Sequence, residues 1–409
     1  MPNTSDKDSV TKTTAELIDK LQLKLNRYKE PLNSLYNIIQ ILTHHPNWQN
    51  CVKFDNFSLR FVKCKLPPFP DAELGNWSDF DNIQTIVWID KYFNFEPTTL
   101  SIQNAITSIA KSQCFHPVQD YLQSLKWDGE HRVNIWCEKY LGAIESPASR
   151  IFQKCALIGA VARVMKPGEK VDEVLIIEGQ QGIKKSTALQ VLYGAEWFTD
   201  AALDIGSKDC YLGMRGKWCV EMAELDKMKR AEASKAKAFF SQRKDEYREP
   251  YGRNVVDVPR QCVFIGTVNE SEYLNDPTGN RRYMPITVYK IDVKSLARDR
   301  DQIWAEAYHL YTSGEPWYFN ASISYIKEAQ TQRYDNDSWQ EPIEQFLDNG
   351  VDGRLDKVHT VQIQEMLGIE LAKFNRMEAN RIKQIMEHLG WKKGSPTINY
   401  KKLRGYYRQ

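Results

Sequence analysis

Two adjacent lysines followed by two hydroxyl residues stand in a glycine-containing stretch near the middle of the chain. The stretch EGQQGIKKST covers residues 178–187. It nearly fits G-x-x-x-x-G-K-[ST], the pattern of a loop that cradles phosphate groups. Lys184 replaces the second glycine of that pattern. Counting from Gly179, the pattern predicts Lys185 as the phosphate ligand and Ser186 as the hydroxyl that binds Mg²⁺.

The loop as a whole is the predicted nucleotide site. Its glycines let backbone N–H groups turn toward phosphate oxygens at a helix N-terminus, where the helix dipole adds attraction. A lysine in place of the second glycine costs about 1–2 kcal/mol if the backbone there is left-handed, and nothing if it is not. The alternative is a glycine-containing turn with solvated lysines. The predicted nucleotide-binding residues are Gly179, Gln180, Gln181, Gly182, Ile183, Lys184, Lys185, Ser186 and Thr187.

Two acids further along the chain could serve a bound nucleotide and its metal ion. The run 218–220 predicts a buried strand that delivers Glu221 at its tip, with Glu224 just beyond. We predict that Glu221 binds Mg²⁺ together with Ser186 and that Glu224 is the general base, although the residues leave open which acid takes which role. The alternative is that both are ordinary solvated acids.

A second apolar run, 263–266, leads into polar residues and an arginine pair. Asn269 follows this strand, where its side chain could orient water or touch the γ-phosphate. The next loop delivers Arg281 and Arg282, and a guanidinium beside a γ-phosphate stabilises transition-state charge. We therefore predict catalytic roles for all three residues. A structural salt bridge or a surface pair is the alternative for either arginine.

Two segments rich in basic and aromatic residues predict contact with DNA. The segment 244–260 suits a loop or hairpin that presents Arg248, Tyr251 and Arg253 to a single strand. Residues 391–409 contain lysines, arginines and tyrosines but no acid. The alternatives are a hairpin that packs only on its own domain and a tail that is basic for solubility. The predicted phosphate contacts of the tail are Lys392, Lys393, Lys401, Lys402 and Arg404.

Short runs of β-branched residues alternate with helical stretches through the middle of the chain. This pattern is typical of a parallel α/β core. Near the C-terminus, a short helix, a turn near Gly368 and a longer helix predict a helix-turn-helix, and a hairpin wing follows. The predicted organisation is a polar tail (1–28), an N-terminal helical domain (29–149), a P-loop core (150–325) and a C-terminal helical or winged-helix-like DNA-binding domain (326–409).

Composition limits the remaining possibilities. The 409 residues carry a net charge of +2, which is too small to indicate a partner. No apolar run approaches the roughly 20 residues needed to span a bilayer, and the polar N-terminus shows no secretion signal. The eight cysteines are scattered and lack zinc-site spacing, so we expect reduced thiols in a cytoplasmic protein.

Five motifs together resemble one known family. EGQQGIKKST, WCVEMAEL, SQRKDEYREPYGR, PRQCVFIGTVNE and TGNRRYMPI occur in the order and spacing of the virulence-associated protein E family of phage and mobile-element ATPases, over roughly residues 80–325. That family is similar to superfamily 3 helicases with an AAA+ type core. The resemblance implies ATP and Mg²⁺ as cofactors, and a hexameric ring that translocates on DNA during replication of a phage, plasmid or genomic island.

The resemblance also implies roles for individual residues. Lys185 and Ser186 would bind nucleotide, Asn269 would be the sensor, and Arg281 or Arg282 would act across a subunit boundary. Other replication proteins are further expected partners, and a membrane is not.

Three other functions use the same residues. A nucleotide or small-molecule kinase shares the phosphate loop, although the arginine pair and the basic tail argue against it. An initiator with a degraded loop at Lys184 would bind an origin without hydrolysing ATP. An ATP-dependent switch in phage interference would carry the same motifs.

Overall fold

The computed structural model describes residues 17–223, 230–248, 255–269, 282–331, 339–348, 355–370, 374–398 and 400–408. Buried hydrophobic side chains within these ranges form four clusters. None of the helices in the same ranges combines the length and apolar character that crossing a bilayer requires.

The N-terminal part is a small α+β unit, in which a four-stranded sheet accompanies the helices of the predicted N-terminal helical domain. Its elements are α1 (Leu35–His44), β1 (Val52–Asp55), β2 (Arg60–Lys63), β3 (Gly75–Asn76), α2 (Asp79–Phe93), α3 (Thr99–Ser112) and β4 (Cys114–Phe115). The strands form a sheet in the order β3-β2-β1-β4. Each strand has only two to four residues, which is too short to show the alternation that identifies strands in a sequence.

Two predicted boundaries of this unit also differ from the packing. Leu21 and Leu23 are buried in its core, so the chain joins the fold inside the predicted polar tail of residues 1–28. Residues 118–141 pack with the next unit instead, because Val118, Leu122 and Trp136 belong to the cluster that covers the central sheet.

The central unit is built on a parallel sheet that is covered on both faces. Its elements are α4 (Pro117–Ser124), α5 (Trp136–Leu141), α6 (Pro147–Met165), β5 (Val174–Glu178), α7 (Lys185–Tyr193), β6 (Phe198–Thr199), α8 (Lys208–Gly213), β7 (Cys219–Ala223), α9 (Arg230–Phe240), β8 (Lys244–Arg248), β9 (Val255–Pro259), β10 (Val263–Val268), β11 (Tyr283–Thr287), α10 (Val293–Thr312) and α11 (Ser324–Thr331).

The sheet has the order β11-β5-β10-β7-β6, and every pair is parallel. Leu175 and Ile177 belong to one hydrophobic cluster, whereas Val174 and Ile176 belong to another. Because successive strand residues point to opposite faces, β5 is buried from both sides. The predicted parallel α/β core is thus confirmed.

The C-terminal part has its own small core. Its elements are α12 (Gln340–Asp348), β12 (Lys357–His359), α13 (Thr360–Met366), α14 (Arg376–His388), β13 (Lys392–Gly394), β14 (Thr397–Ile398), β15 (Lys401–Lys402) and β16 (Gly405–Tyr407). The strands pair as a three-stranded sheet, β12-β16-β13, and a two-stranded sheet, β14-β15. Between α13 and α14 the chain turns at Gly368, where φ is 66°, so helix, turn and helix occur as predicted. Ile326 packs with the central unit, which places the start of this part after the predicted residue 326.

Candidate functional site

The loop 179–184 leaves the sheet between two other strand ends. Glu178, the last residue of β5, is paired with Val268 of β10 and with Thr287 of β11. All three strands end at the same edge of the sheet because they are parallel. Ligands of open α/β sheets bind at the carboxyl ends of the strands. The loop therefore lies where a ligand of this fold is expected.

Lys184 has the backbone conformation of a glycine. Its φ is 75° and its ψ is 34°, and it is the N-cap of α7. A side chain in this left-handed region costs about 1–2 kcal/mol, so the substitution is costly at this position. Gly182 also has a positive φ of 84°. At Gly179, an added Cβ would lie 2.6 Å from the carbonyl oxygen of Val288, so only glycine fits there.

The two adjacent lysines differ in direction. Lys184 is exposed, whereas Lys185 is buried, and its Nζ donates to the carbonyl oxygens of Gly179 (2.5 Å) and Gln180 (3.0 Å). The same ammonium donates to Oδ1 of Asn269 at 3.1 Å. The structure thus brings together the predicted phosphate ligand and the predicted sensor. An incoming phosphate would replace the loop carbonyls as the partner of Lys185.

Glu221 forms the second half of the site. Its side chain is 2% exposed, and its Oε1 accepts from Ser186 Oγ (2.8 Å) and from Thr267 Oγ1 (2.6 Å). The other oxygen, Oε2, is buried and has no hydrogen-bond partner among the described residues. Burying an acceptor oxygen without a hydrogen-bond partner costs free energy. The pair of Ser186 and Glu221 is therefore arranged to receive a cation or another donor.

Two features of this half-site differ from the prediction. Glu221 lies in the middle of β7 rather than at its tip, because the strand continues to Ala223. Thr267, which no prediction singled out as a site residue, is the second donor to the carboxylate. The only sequence signal was a hydroxyl in an otherwise apolar strand. Burial, and to a lesser degree Glu221, holds the pKa of the neighbouring Cys219 thiol well above its ordinary value, so that cysteine is a protonated core side chain.

The oxygen donors fit Mg²⁺. A serine hydroxyl and a carboxylate are hard oxygen ligands, and Mg²⁺ is usually held by one or two carboxylates plus water and substrate phosphates. Within the described ranges no three His, Cys, Asp or Glu side chains form a metal cluster. An ion bound between Ser186 and Glu221 would thus complete its shell with water and phosphate oxygens.

The structure does not bring the described arginine of the predicted pair to the loop. Arg282 precedes β11, whose first residue is paired with Val174 at the start of β5. One strand length of about 16 Å separates that edge of the sheet from the loop. Arg282 Nε donates to Ser241 Oγ at 3.0 Å. Arg281 and Glu224, which were also predicted as catalytic, lie outside the described residues.

The predicted hairpin is present between β7 and β10. Its strands β8 and β9 pair antiparallel from Lys244↔Pro259 to Arg248↔Val255. Tyr251 and Arg253, predicted to contact DNA, lie outside the described residues, and Arg248 is the last residue of β8.

Buried polar contacts fix the base of this hairpin. Arg260 is 1% exposed; its guanidinium bonds Asp245 and lies over the ring of Phe239 at 4.4 Å. The next residue, Gln261, contacts His116 Nε2 through Oε1 (2.6 Å) and donates to the carbonyl oxygen of Asn56 (3.2 Å). The base is therefore tied to both the central and the N-terminal units.

The predicted cations of the C-terminal tail are on the surface. All of them are exposed: Lys392, Lys393, Lys401, Lys402 and Arg404. The tyrosines among them differ, because Tyr406 is 2% exposed in the C-terminal core whereas Tyr400 is fully exposed. The lysines and the arginine are thus available to a partner.

The chain is similar to one family of known sequences and, at low identity, to solved structures. No curated protein matches the chain. Two apo structures of the NrS-1 C-terminal region align with 88% of this chain and with 96% of their own chains. Their sequence identities to the chain are 13% and 12%, and their TM-scores are 0.46 and 0.49, respectively. A family model described as the virulence-associated protein E-like domain matches residues 122–336, more than half of the chain. The chain therefore belongs to the virulence-associated protein E-like family.

Proposed function

We propose that the chain binds and hydrolyses ATP with Mg²⁺, and that it acts as a DNA motor of the superfamily 3 type in replication of a phage, plasmid or genomic island. One observation supports the proposal above the others. Ser186 Oγ lies 2.8 Å from Glu221, whose second oxygen is buried and without a described partner. A hydroxyl and a carboxylate converge in this way where a metal-bound triphosphate is held.

Each described residue has a distinct role in this proposal. Lys185 binds the β- and γ-phosphates after it leaves the loop carbonyls, and the loop N–H groups bind the remaining phosphate oxygens. Ser186 and Glu221 would hold Mg²⁺, and the ion would neutralise charge on the phosphates. The Oδ1 of Asn269 lies 3.1 Å from Lys185 Nζ, which supports a role for Asn269 in orienting the attacking water. Glu224 is proposed as the base that accepts the proton of that water.

The two lysines supply a matched test of the nucleotide site. Lys185→Ala should abolish ATP turnover and weaken nucleotide binding, because its ammonium is the group that points into the loop. Lys184→Ala removes the same charge from an exposed position and should leave turnover largely intact. Steady-state ATPase rates with and without single-stranded DNA measure both. Equal loss in the two variants, or no turnover by the wild type, contradicts the proposal.

The position of Arg282 supports action between subunits. An arginine one strand length of about 16 Å from its own loop is too far away to reach a γ-phosphate held there. In a ring, the same edge could face the loop of the next subunit. We propose that Arg281 or Arg282 completes the neighbouring site, where such an arginine is worth roughly 10³-fold or more in turnover.

Subunit mixing tests the shared site. Lys185→Ala chains and chains with Ala at both Arg281 and Arg282 should each be inactive, whereas the mixture should regain turnover at interfaces that pair an intact loop with intact arginines. Sedimentation with ATP and DNA gives the assembly state. A wild-type monomer whose specific activity is independent of protein concentration would refute the ring.

The surface cations support the proposed contact with DNA. Removing residues 391–409 would unfold the C-terminal core, since Trp391 and Tyr406 are buried in it. Exchange of the four exposed lysines Lys392, Lys393, Lys401 and Lys402 for Gln avoids that problem. Each exchange that removes an ammonium from a phosphate should reduce the slope of log affinity against log salt by about 0.7 on single strands. An unchanged slope would show that these lysines do not contact phosphates.

A further inference from the structure

Tyr400 occupies a turn position that disfavours its side chain. Residues 398 and 401 are paired in the β14-β15 ladder, so Tyr400 lies in the turn that joins these strands. Its φ is 60°, in the left-handed region that hairpin turns fill with Gly, Asn or Asp. It is the one aromatic residue with positive φ among those the structure describes. Turn chemistry alone would therefore not select tyrosine here.

Packing does not explain the tyrosine either. Its relative exposure is 104%, against 2% for Tyr406 in the same segment. A side chain held in a strained conformation without burial contributes nothing to the core that would offset the strain. Strained residues of this kind are found at functional sites, and the inference runs from the observed outlier to the function.

The surroundings of the ring indicate the chemistry of its partner. Lys401 and Lys402 follow it directly, both are exposed, and the segment from 391 to 409 contains no Asp or Glu. An aromatic face flanked by cations matches a base flanked by phosphates. A base offers its face only where it is not stacked on both sides, as in a single strand or at the end of a duplex.

We propose that Tyr400 stacks on an unpaired base of single-stranded DNA while Lys401 and Lys402 contact the adjoining phosphates. The inference rests on the proposed DNA binding and is independent of ATP hydrolysis. Stacking of one base on an aromatic ring corresponds to about 5- to 150-fold in affinity. The hairpin would thus distinguish an open strand from a closed duplex.

The experiment uses the full chain without ATP and compares a fluorescent thymidine oligomer with a covalently closed circular duplex, which has neither an end nor an unpaired loop. Tyr400→Ala should lower affinity for the oligomer about 5- to 150-fold and leave affinity for the duplex within about twofold. Tyr400→Phe, which keeps the ring, should bind as the wild type does. The slope of log affinity against log salt should stay constant in Tyr400→Ala, because the charge is unchanged, and should fall by about 0.7 in the control Lys401→Gln.

Several results would overturn the inference. Oligomer binding by Tyr400→Ala that equals wild type excludes stacking, and equal losses for Ala and Phe indicate a hydroxyl contact instead. Equal losses on oligomer and duplex exclude selection of unpaired bases. If the wild type binds neither DNA, both the inference and the proposed DNA motor are refuted. If the wild type binds DNA and Tyr400→Ala binds it equally well, only the inference is refuted. Unchanged thermal unfolding of the variants confirms that the fold is intact.

Discussion

Replacement of Lys184 by glycine should stabilise the protein. The residue holds a φ of 75° and a ψ of 34°, and release of an L-side chain from this region recovers about 1–2 kcal/mol. Glycine also makes the unfolded chain more flexible, which takes back about 0.5–1 kcal/mol. The midpoints of the two ranges leave a net gain of about 0.75 kcal/mol. For a cooperative unit of about 150–250 residues, this corresponds to a rise of about 1.5–3 °C in Tm.

The neighbouring glycine provides the matched control. Gly182 has a φ of 84°, and a Cβ added there meets no atom within 4 Å. Gly182→Ala thus introduces backbone strain without a steric clash, and Tm should fall by a similar amount. Lys184→Ala keeps the strain and removes the exposed side chain beyond Cβ together with its ammonium, so it should leave Tm close to that of the wild type.

Differential scanning calorimetry of the three variants, without nucleotide and at one protein concentration, measures these shifts. A Tm of Lys184→Gly at or below that of wild type would refute the strain argument. It would show that the lysine side chain stabilises the loop by more than its backbone costs. A fall in Lys184→Ala equal to any fall in Lys184→Gly would identify the loss of the side chain beyond Cβ as the cause.

Three further predictions concern other parts of the fold. Thr267→Val removes a hydrogen bond to Glu221 and should raise the Mg²⁺ concentration for half-maximal ATP turnover about 10-fold or more, measured by Mg²⁺ titration. Arg260→Met leaves Asp245 buried and unpaired and should lower the free energy of unfolding by about 3–5 kcal/mol in urea titrations, with partial recovery when Asp245→Leu is added. Burial, and secondarily Lys65, lowers the pKa of His45 from 6.5. The unfolded chain therefore binds the extra proton, so stability of the N-terminal unit should be full above about pH 6.5 and fall below it, and His45→Gln should remove this dependence in thermal melts at pH 5–8.

The sequence was most informative where chemistry and local pattern coincide. Gly179, Lys185 and Ser186 could be placed by counting along one motif, because strand, loop and helix are contiguous in the chain. The contact between Lys185 and Asn269 could be anticipated from the rule that parallel strands end at one edge. The backbone conformation of Lys184 could not be predicted, because a lysine in place of the glycine of the motif does not determine the φ angle. Only the energetic cost that a left-handed backbone would have could be stated from the sequence.

What the sequence left open depended on distant packing. The residues next to Thr267 in the sequence do not indicate its hydrogen bond to Glu221, because that bond joins two different strands. The two-residue strands at Gly75 and Cys114 are too short for a periodic signal, so the N-terminal sheet was missed. The helices near Val118 and Trp136 resemble those before them in composition, and only the side chains they meet show that they cover the central sheet.

The link between the hairpin and β10 is held at every residue. Residues 260–262 join the two: Arg260 is fixed by Asp245, Gln261 by His116, and Cys262 by burial. From this link β10 runs about 20 Å to the edge where Asn269 contacts Lys185. β10 therefore joins the contact between Asn269 and Lys185 to the base of the hairpin through one continuous buried strand.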